Sequence, residues 1–169
     1  YPFISEKYGH CVAPLGGGME HQTMTTLANF NFLLVAHELA HQWFGDYVTC
    51  GSWQDIWVNE GFASYAEYIA CQYLQSQTNA DLWMADAHTN VKSEAGGSVY
   101  VPEDFSTDEK RIFDYRLSYK KGAAIIHMIR GELQNDSLFF SILRDYLYRH
   151  KNDVATGDDF KKVLEERSG

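Results

Sequence analysis

The 169 residues carry 14 Lys and Arg against 23 Asp and Glu, a formal net charge of −9, with 45% apolar and 22% charged residues. That balance excludes a disordered or fibrous chain, and it argues against a nucleic-acid partner, which needs clustered cations to meet phosphate. The longest apolar run, Phe32 to Ala36, leads straight into His37 and Glu38, so the sequence offers no membrane span.

The length corresponds to one domain with room for a real core. Cys11, Cys50 and Cys71 are too few and too dispersed for a disulfide framework. They read as three free thiols, or as one bridge and one spare, and leave the compartment open between cytoplasm, periplasm and exterior. The chain opens Tyr1-Pro2-Phe3 without an initiator Met and stops at Ser168-Gly169. It reads as an excised portion of a longer protein, so the lack of a targeting segment carries no weight.

In chain order, residues 1–26 read as an extended or loop segment, with Gly16-Gly17-Gly18 as a turn or a point of close backbone approach. Residues 27–169 read as helical. From about Leu27, apolar residues recur at spacings of three and four through Leu33, Ala36, Leu39, Ala40, Trp43 and Phe44, and Gly45 closes this first helix. Ser52-Trp53-Gln54-Asp55 reads as a variant capping box opening a second helix that runs to about Gln77. A third helix is expected over about Ala80 to Ala95, followed by a loop from Gly96-Gly97 to Lys110. A fourth runs from about Tyr115 to Gln134, Asp136 caps a fifth, and Thr156 to Asp159 cap a sixth. The fold class is therefore mainly α with a short extended N-terminal segment.

The chemistry concentrates in His37-Glu38-Leu39-Ala40-His41, an HExxH on the first helix. Four residues turn a helix by about 400°, so both imidazoles leave from one face. Two neutral imidazoles so placed suit Zn²⁺, with Glu38 beside the metal as the base that deprotonates water. By composition alone the pattern arises by chance about two times in a hundred, and two histidines on a buried helix can simply be core residues. A catalytic zinc needs a third protein ligand and one open position. Glu60, nineteen positions after His41 on the next helix, supplies it. Glu67, two turns beyond Glu60, is a candidate to orient a ligand imidazole, with Asp55 and Asn59 as alternatives. His10, His88, His127 and His150 lack partners at ligand spacing and read as surface or core histidines.

Four stretches in order carry a resemblance. They are Gly17-Gly18-Met19-Glu20-His21, Val35 to Asp46 around the HExxH, Trp57-Val58-Asn59-Glu60-Gly61-Phe62-Ala63, and Tyr119-Lys120-Lys121-Gly122. Together they resemble the catalytic domain of the aminopeptidase N family of zinc metallopeptidases, the gluzincins that also include the leukotriene hydrolase/aminopeptidases. The resemblance implies the helical part of a thermolysin-like catalytic domain holding one Zn²⁺ through His37, His41 and Glu60. It implies that Glu20 binds the free amino group of a peptide substrate, with Gly17, Gly18 and Met19 forming that substrate-binding strand. His21 stands where the family usually carries Asn. The resemblance further implies that Tyr119 donates its phenol to the tetrahedral oxyanion, with Tyr115, four residues earlier, as the competing tyrosine.

The implied function is zinc-dependent removal of N-terminal residues from peptides, with Glu38 and Tyr119 catalytic. The rivals are a thermolysin-like endopeptidase, which has no use for an ammonium anchor at Glu20, and an inactive zinc-containing binding module. Family members also carry an N-terminal β-rich domain and a C-terminal helical domain. These are the expected partners of this chain, whose activity alone is expected to be weak.

Overall fold

The computed structural model describes residues 6–169; the Tyr1-Pro2-Phe3 opening lies outside the described residues. A three-stranded sheet opens the fold. Strand β1 (Gly9–Val12) runs parallel to the central β3 (Met24–Leu27), and β2 (Gly18–Met19) pairs with the other side of β3 antiparallel. Helix α1 (Phe32–Ala40) follows, then β4 (Val48–Cys50) and α2 (Trp57–Ala70). Next come α3 (Gln77–Val91), a short α4 (Glu109–Ile112) and α5 (Gly122–Leu133). Helix α6 (Asp136–Arg149), β5 (Asp153–Ala155) and α7 (Gly157–Ser168) complete the chain. The mainly helical class with an extended N-terminal part agrees with expectation.

The boundaries depart from the sequence pattern in instructive ways. Leu27 does not begin a helix; it ends β3 fully buried, paired with Val12 and Gly18. The helix starts five residues later, where the Asn31 side chain accepts the Leu33 and Leu34 N–H groups at 3.0 and 3.3 Å. At its far end α1 stops at Ala40, and His41 to Trp43 form a turn ahead of Gly45. Ser52 makes no capping bond, and the segment Trp53–Asp55 is a 3-10 turn. Asp55 is instead turned inward to accept the Gly157 N–H at 2.9 Å, which joins this turn to the start of α7. The long second helix divides. After Ala70 the chain widens into a π turn, Cys71–Gln75, and Ser76 caps a fresh start as α3, three residues ahead of the expected helix. The expected Tyr115–Gln134 helix likewise opens with a π-helical stretch, Tyr115–Lys121, before α5. Asn135, not Asp136, caps α6 by accepting the Leu138 N–H at 3.0 Å. The capping box at Thr156 and Asp159 forms as expected. The parallel pair β4 and β5 was not foreseen, because three-residue strands 105 positions apart leave no periodic trace. All three cysteines are free thiols.

Helix α2 is the axis of the core. Trp57, Val58, Phe62, Tyr65 and Tyr68 are all buried, and Phe62 stacks on Phe44 at 4.4 Å and meets Phe160 edge-on at 5.0 Å. Helix α5 crosses α2 at Gly61 and Gly122, where a Cβ built on either residue falls 2.9 Å from the other's Cα. The two backbones therefore touch, and no side chain fits between them. Replacing Gly61 with Ala must push α5 off α2, and overpacking of this kind costs about 1–3 kcal/mol. Gly131, also on α5, meets nothing within 4 Å, so Gly131→Ala should be neutral or stabilising by about 0.5–1 kcal/mol. Urea unfolding of the two variants should move the midpoint in opposite directions.

Candidate metal centre

Helix α1 presents His37 and His41 one turn apart, facing the first turn of α2. Their Nε2 atoms lie 3.1 Å apart. One oxygen of Glu60 lies 3.2 Å from the His37 nitrogen and 3.3 Å from the His41 nitrogen. Three donors on two helices thus form a nearly equilateral triangle. A tetrahedral ion about 2.0–2.1 Å from each ligand spaces its donors by about 3.4 Å, so the set fits a zinc-sized cation.

The outward ring nitrogens are also held. His37 Nδ1 lies 2.9 Å from Glu67 Oε1, and His41 Nδ1 lies 2.9 Å from the Phe44 carbonyl. Both oxygens accept an Nδ1–H, the tautomer that leaves each Nε2 lone pair pointing at the triangle's centre. Of the three residues considered for orienting a ligand imidazole, Glu67 does so. Asp55 is committed to Gly157, and the Asn59 Oδ1 is buried without a protein partner.

Electrostatics make the triangle a cation trap. Burial opposes charge on Glu60, but the two imidazoles win and hold its carboxyl down to about 2. Burial likewise opposes charge on His37, yet the bonds to Glu60 and Glu67 push it up to about 10, and His41 is raised by Glu60 in the same way. A fixed anion between two imidazoles draws positive charge, whether protons or a divalent ion.

Glu38 lies beside the triangle, on the same cavity. It is 5% exposed, its Oε2 has no protein partner, and its carboxylate rests on Gly18, where a Cβ would fall 2.5 Å from Oε1. The bare backbone of β2 makes room for it. Burial pushes its carboxyl up to about 7, against the lowering influence of His37 and His41.

Glu20 stands on the rim, half-buried, with ligand atoms of Glu20, Glu38 and His41 all within 4.8 Å of one another. Among the described residues no Lys or Arg pairs with Glu20 or Glu38. The loop bearing Glu20 is fastened by Gln42, whose amide donates to the Glu20 carbonyl at 3.1 Å and accepts from Thr23 N–H at 2.8 Å. Gly17 accepts the Ala28 N–H at 2.8 Å, and Met19 pairs with Thr26 while its side chain stays exposed. His21 bonds Thr26 Oγ1 at 3.0 Å on the outer side of that loop.

Tyr119 packs parallel to the His37 ring at 5.9 Å. Burial, and then the Glu60 carboxylate, push its phenol far above the usual range, so it stays a neutral hydrogen-bond donor. Tyr115 is 56% exposed and lies further out, beside the Lys120 ammonium. These side chains surround one cavity of about 1110 Å³, also lined by Asp46, Trp83 and Lys120. The sequence reading missed Gln42, Trp83 and Lys120. The first and last sit inside motif stretches next to His41 and Tyr119, whereas Trp83 on α3 has no signal of its own.

Comparison with known proteins agrees with this geometry. The family description "Peptidase family M1 domain" matches residues 16–169. "Aminopeptidase N" of Lactococcus lactis subsp. lactis is 34% identical over 143 residues, covering 81% of this chain and 17% of that protein. The "Thyrotropin-releasing hormone-degrading ectoenzyme" of Mus musculus is 37% identical over 140 residues, covering 79% of this chain and 13% of its own length. The M1 zinc metallopeptidase of Deinococcus radiodurans superposes with a TM-score of 0.80 at 27% identity, over 96% of this chain and 36% of that one. This chain thus spans less than a fifth of the length of these two curated relatives. With the family pattern running through 16–169 and the motif residues gathered on one cavity, the chain belongs to peptidase family M1, the aminopeptidase N family of zinc metallopeptidases.

Proposed function

We propose that this chain is the metal-binding part of a zinc aminopeptidase that hydrolyses the first peptide bond of peptides with a free N-terminus. The observation that carries the reading is the convergence of His37, His41 and Glu60 on one point, flanked by partner-free Glu38 on one side and unpaired Glu20 on the rim. One Zn²⁺ held by those three residues supplies Lewis acidity, polarising the scissile carbonyl and acidifying water.

The remaining work falls to the chain's own residues. Glu38 accepts the proton of the attacking water and delivers it to the leaving amine. Tyr119 donates its phenol to the carbonyl oxygen as negative charge develops there; a neutral donor already fixed by burial needs no reorganisation at that moment. Glu20 receives the substrate ammonium. Strand β2 is an edge of its sheet, so Gly18 and Met19 leave one backbone edge free to pair with an extended peptide, beside Gly17. A carboxylate at the end of that track stops the peptide after one residue. The parent enzyme's other domains complete the substrate site, which is why the turnover measurements below belong in the full-length protein.

Three outcomes are expected. First, His37→Ala or His41→Ala should abolish stoichiometric zinc measured by elemental analysis, whereas Glu38→Gln should retain the metal and lose about 10²–10⁴ in kcat, the share of a positioned general base. Full zinc in either histidine variant would remove that residue from the ligand set. Second, Tyr119→Phe should lower kcat by about 10²–10³ with little change in KM, because the phenol serves the transition state. Tyr115→Phe should leave kcat near that of the parent. Third, Glu20→Gln should raise KM for aminoacyl-anilides with a free amine. If N-acetylated peptides are cleaved internally at comparable kcat/KM, the protein is an endopeptidase and the reading fails.

A further inference from the structure

His37 and His41 are oriented by different means. The Nδ1 of His41 is held by a backbone carbonyl, which the fold of the α1 turn fixes by itself. The Nδ1 of His37 is held by the Glu67 side chain, a flexible carboxylate that must itself be fixed. Its second oxygen, Oε2, accepts the Trp83 indole N–H at 2.8 Å and lies 3.9 Å from the Lys120 ammonium. That ammonium sits 4.0 Å over the Trp83 ring and 5.2 Å from the Tyr115 ring. Lys120 is 4% exposed, and among the described residues Glu67 is its one acidic partner within salt-bridge distance.

The arrangement is economical in its elements. Trp83 comes from α3, Glu67 from α2 and Lys120 from the π-helical stretch that also carries Tyr119. Trp83 uses both its aspects, its N–H edge toward Glu67 and its face toward Lys120. A cation on an aromatic face is stabilised in a poorly solvated site. A buried carboxylate there is costly without a paired cation. The wide turn sends two successive side chains, Tyr119 and Lys120, into one cavity; insertions of this kind recur at functional sites.

We propose that Trp83 and Lys120 are positioning residues for the metal centre. They clamp Glu67 so that it receives His37 Nδ1–H and holds Nε2 toward the triangle, and neither belongs to the ligand set. The inference rests on the zinc reading above and extends it two contacts outward. Partners of this kind typically tune metal affinity by 10–100-fold.

The sign of the Lys120 effect separates positioning from simple charge. Removing a nearby cation should by Coulomb's law tighten binding of Zn²⁺. If Lys120 acts through Glu67, removing it weakens binding. The experiment measures zinc affinity of the full-length protein by competition with a chelator for Trp83→Phe, Lys120→Met, Lys120→Arg and Glu67→Gln, and for the first two combined with Glu67→Gln. We expect Trp83→Phe and Lys120→Met each to weaken zinc 10–100-fold, and Lys120→Arg to restore most of the loss. Neither should add to the loss already caused by Glu67→Gln, as required of residues acting through one intermediary. The unfolding midpoint of the metal-free Lys120→Arg protein should match the parent's, which keeps one folded variant in hand. Parent-like or tighter zinc binding in Lys120→Met would overturn the proposal. So would losses that add fully to that of Glu67→Gln. A parent protein that takes up no zinc would overturn the metal-centre reading itself, whereas a zinc-loaded parent with unaffected variants would overturn this inference alone.

Discussion

The contact of Gly61 against Gly122 sets the dimensions of the whole centre. Glu60 precedes the first glycine and lies beside the two histidines. Lys121, Lys120 and Tyr119 precede the second. With two backbones in direct contact, α2 and α5 cannot slide or rock without opening a gap or forcing a clash. Tyr119 is thereby held over the His37 ring while Glu60 is held under both imidazoles. Two glycines in separate motif stretches are one structural feature, and its effect is to keep Glu60 and Tyr119 at a constant separation.

Around this frame the charges favour a positive partner. Glu60 is fixed as an anion between two imidazoles, while Glu38 and Glu20 lie close by, among the described residues without a Lys or Arg in salt-bridge distance. Buried carboxylates in such number are costly unless compensated. The compensation is divided. In the proposed reading a divalent ion would answer the His37, His41 and Glu60 triangle, and a substrate ammonium would answer Glu20. Lys120 answers Glu67 from within the chain. That last pair is complete in the protein alone, and both its members line the same cavity.

The backbone interruptions fall where the chemistry is. The chain departs from α-helical geometry immediately ahead of α5, in the π-helical stretch that carries Tyr119 and Lys120. A second wide turn, after α2, lets α3 restart at Ser76 and bring Trp83 back over Glu67. Continuous helices in both places would have been locally more regular. They would have sent Tyr119, Lys120 and Trp83 to other azimuths.

The sequence by itself singled out His37, His41 and Glu60 as the candidate ligand set. HExxH projects both imidazoles from one face by helical pitch, and Glu60 near the start of the next helix lies within reach of them across a short connection. Asn31, Ser76, Asn135 and Thr156 fix helix starts through local side-chain bonds, although only Thr156 was read correctly as a cap, because a capping box is legible within four residues. Leu27 was misread because a strand-end leucine matches the first apolar position of a helical repeat. Tertiary structure alone decided what depends on elements distant in sequence. It turned Asp55 from its own helix start to Gly157, paired β4 with β5, and chose Glu67 over Asp55 and Asn59. It also brought Trp83 and Lys120 together on that carboxylate. Local periodicity reports which way a side chain leaves its own helix; it carries no information about which other helix will be there to receive it.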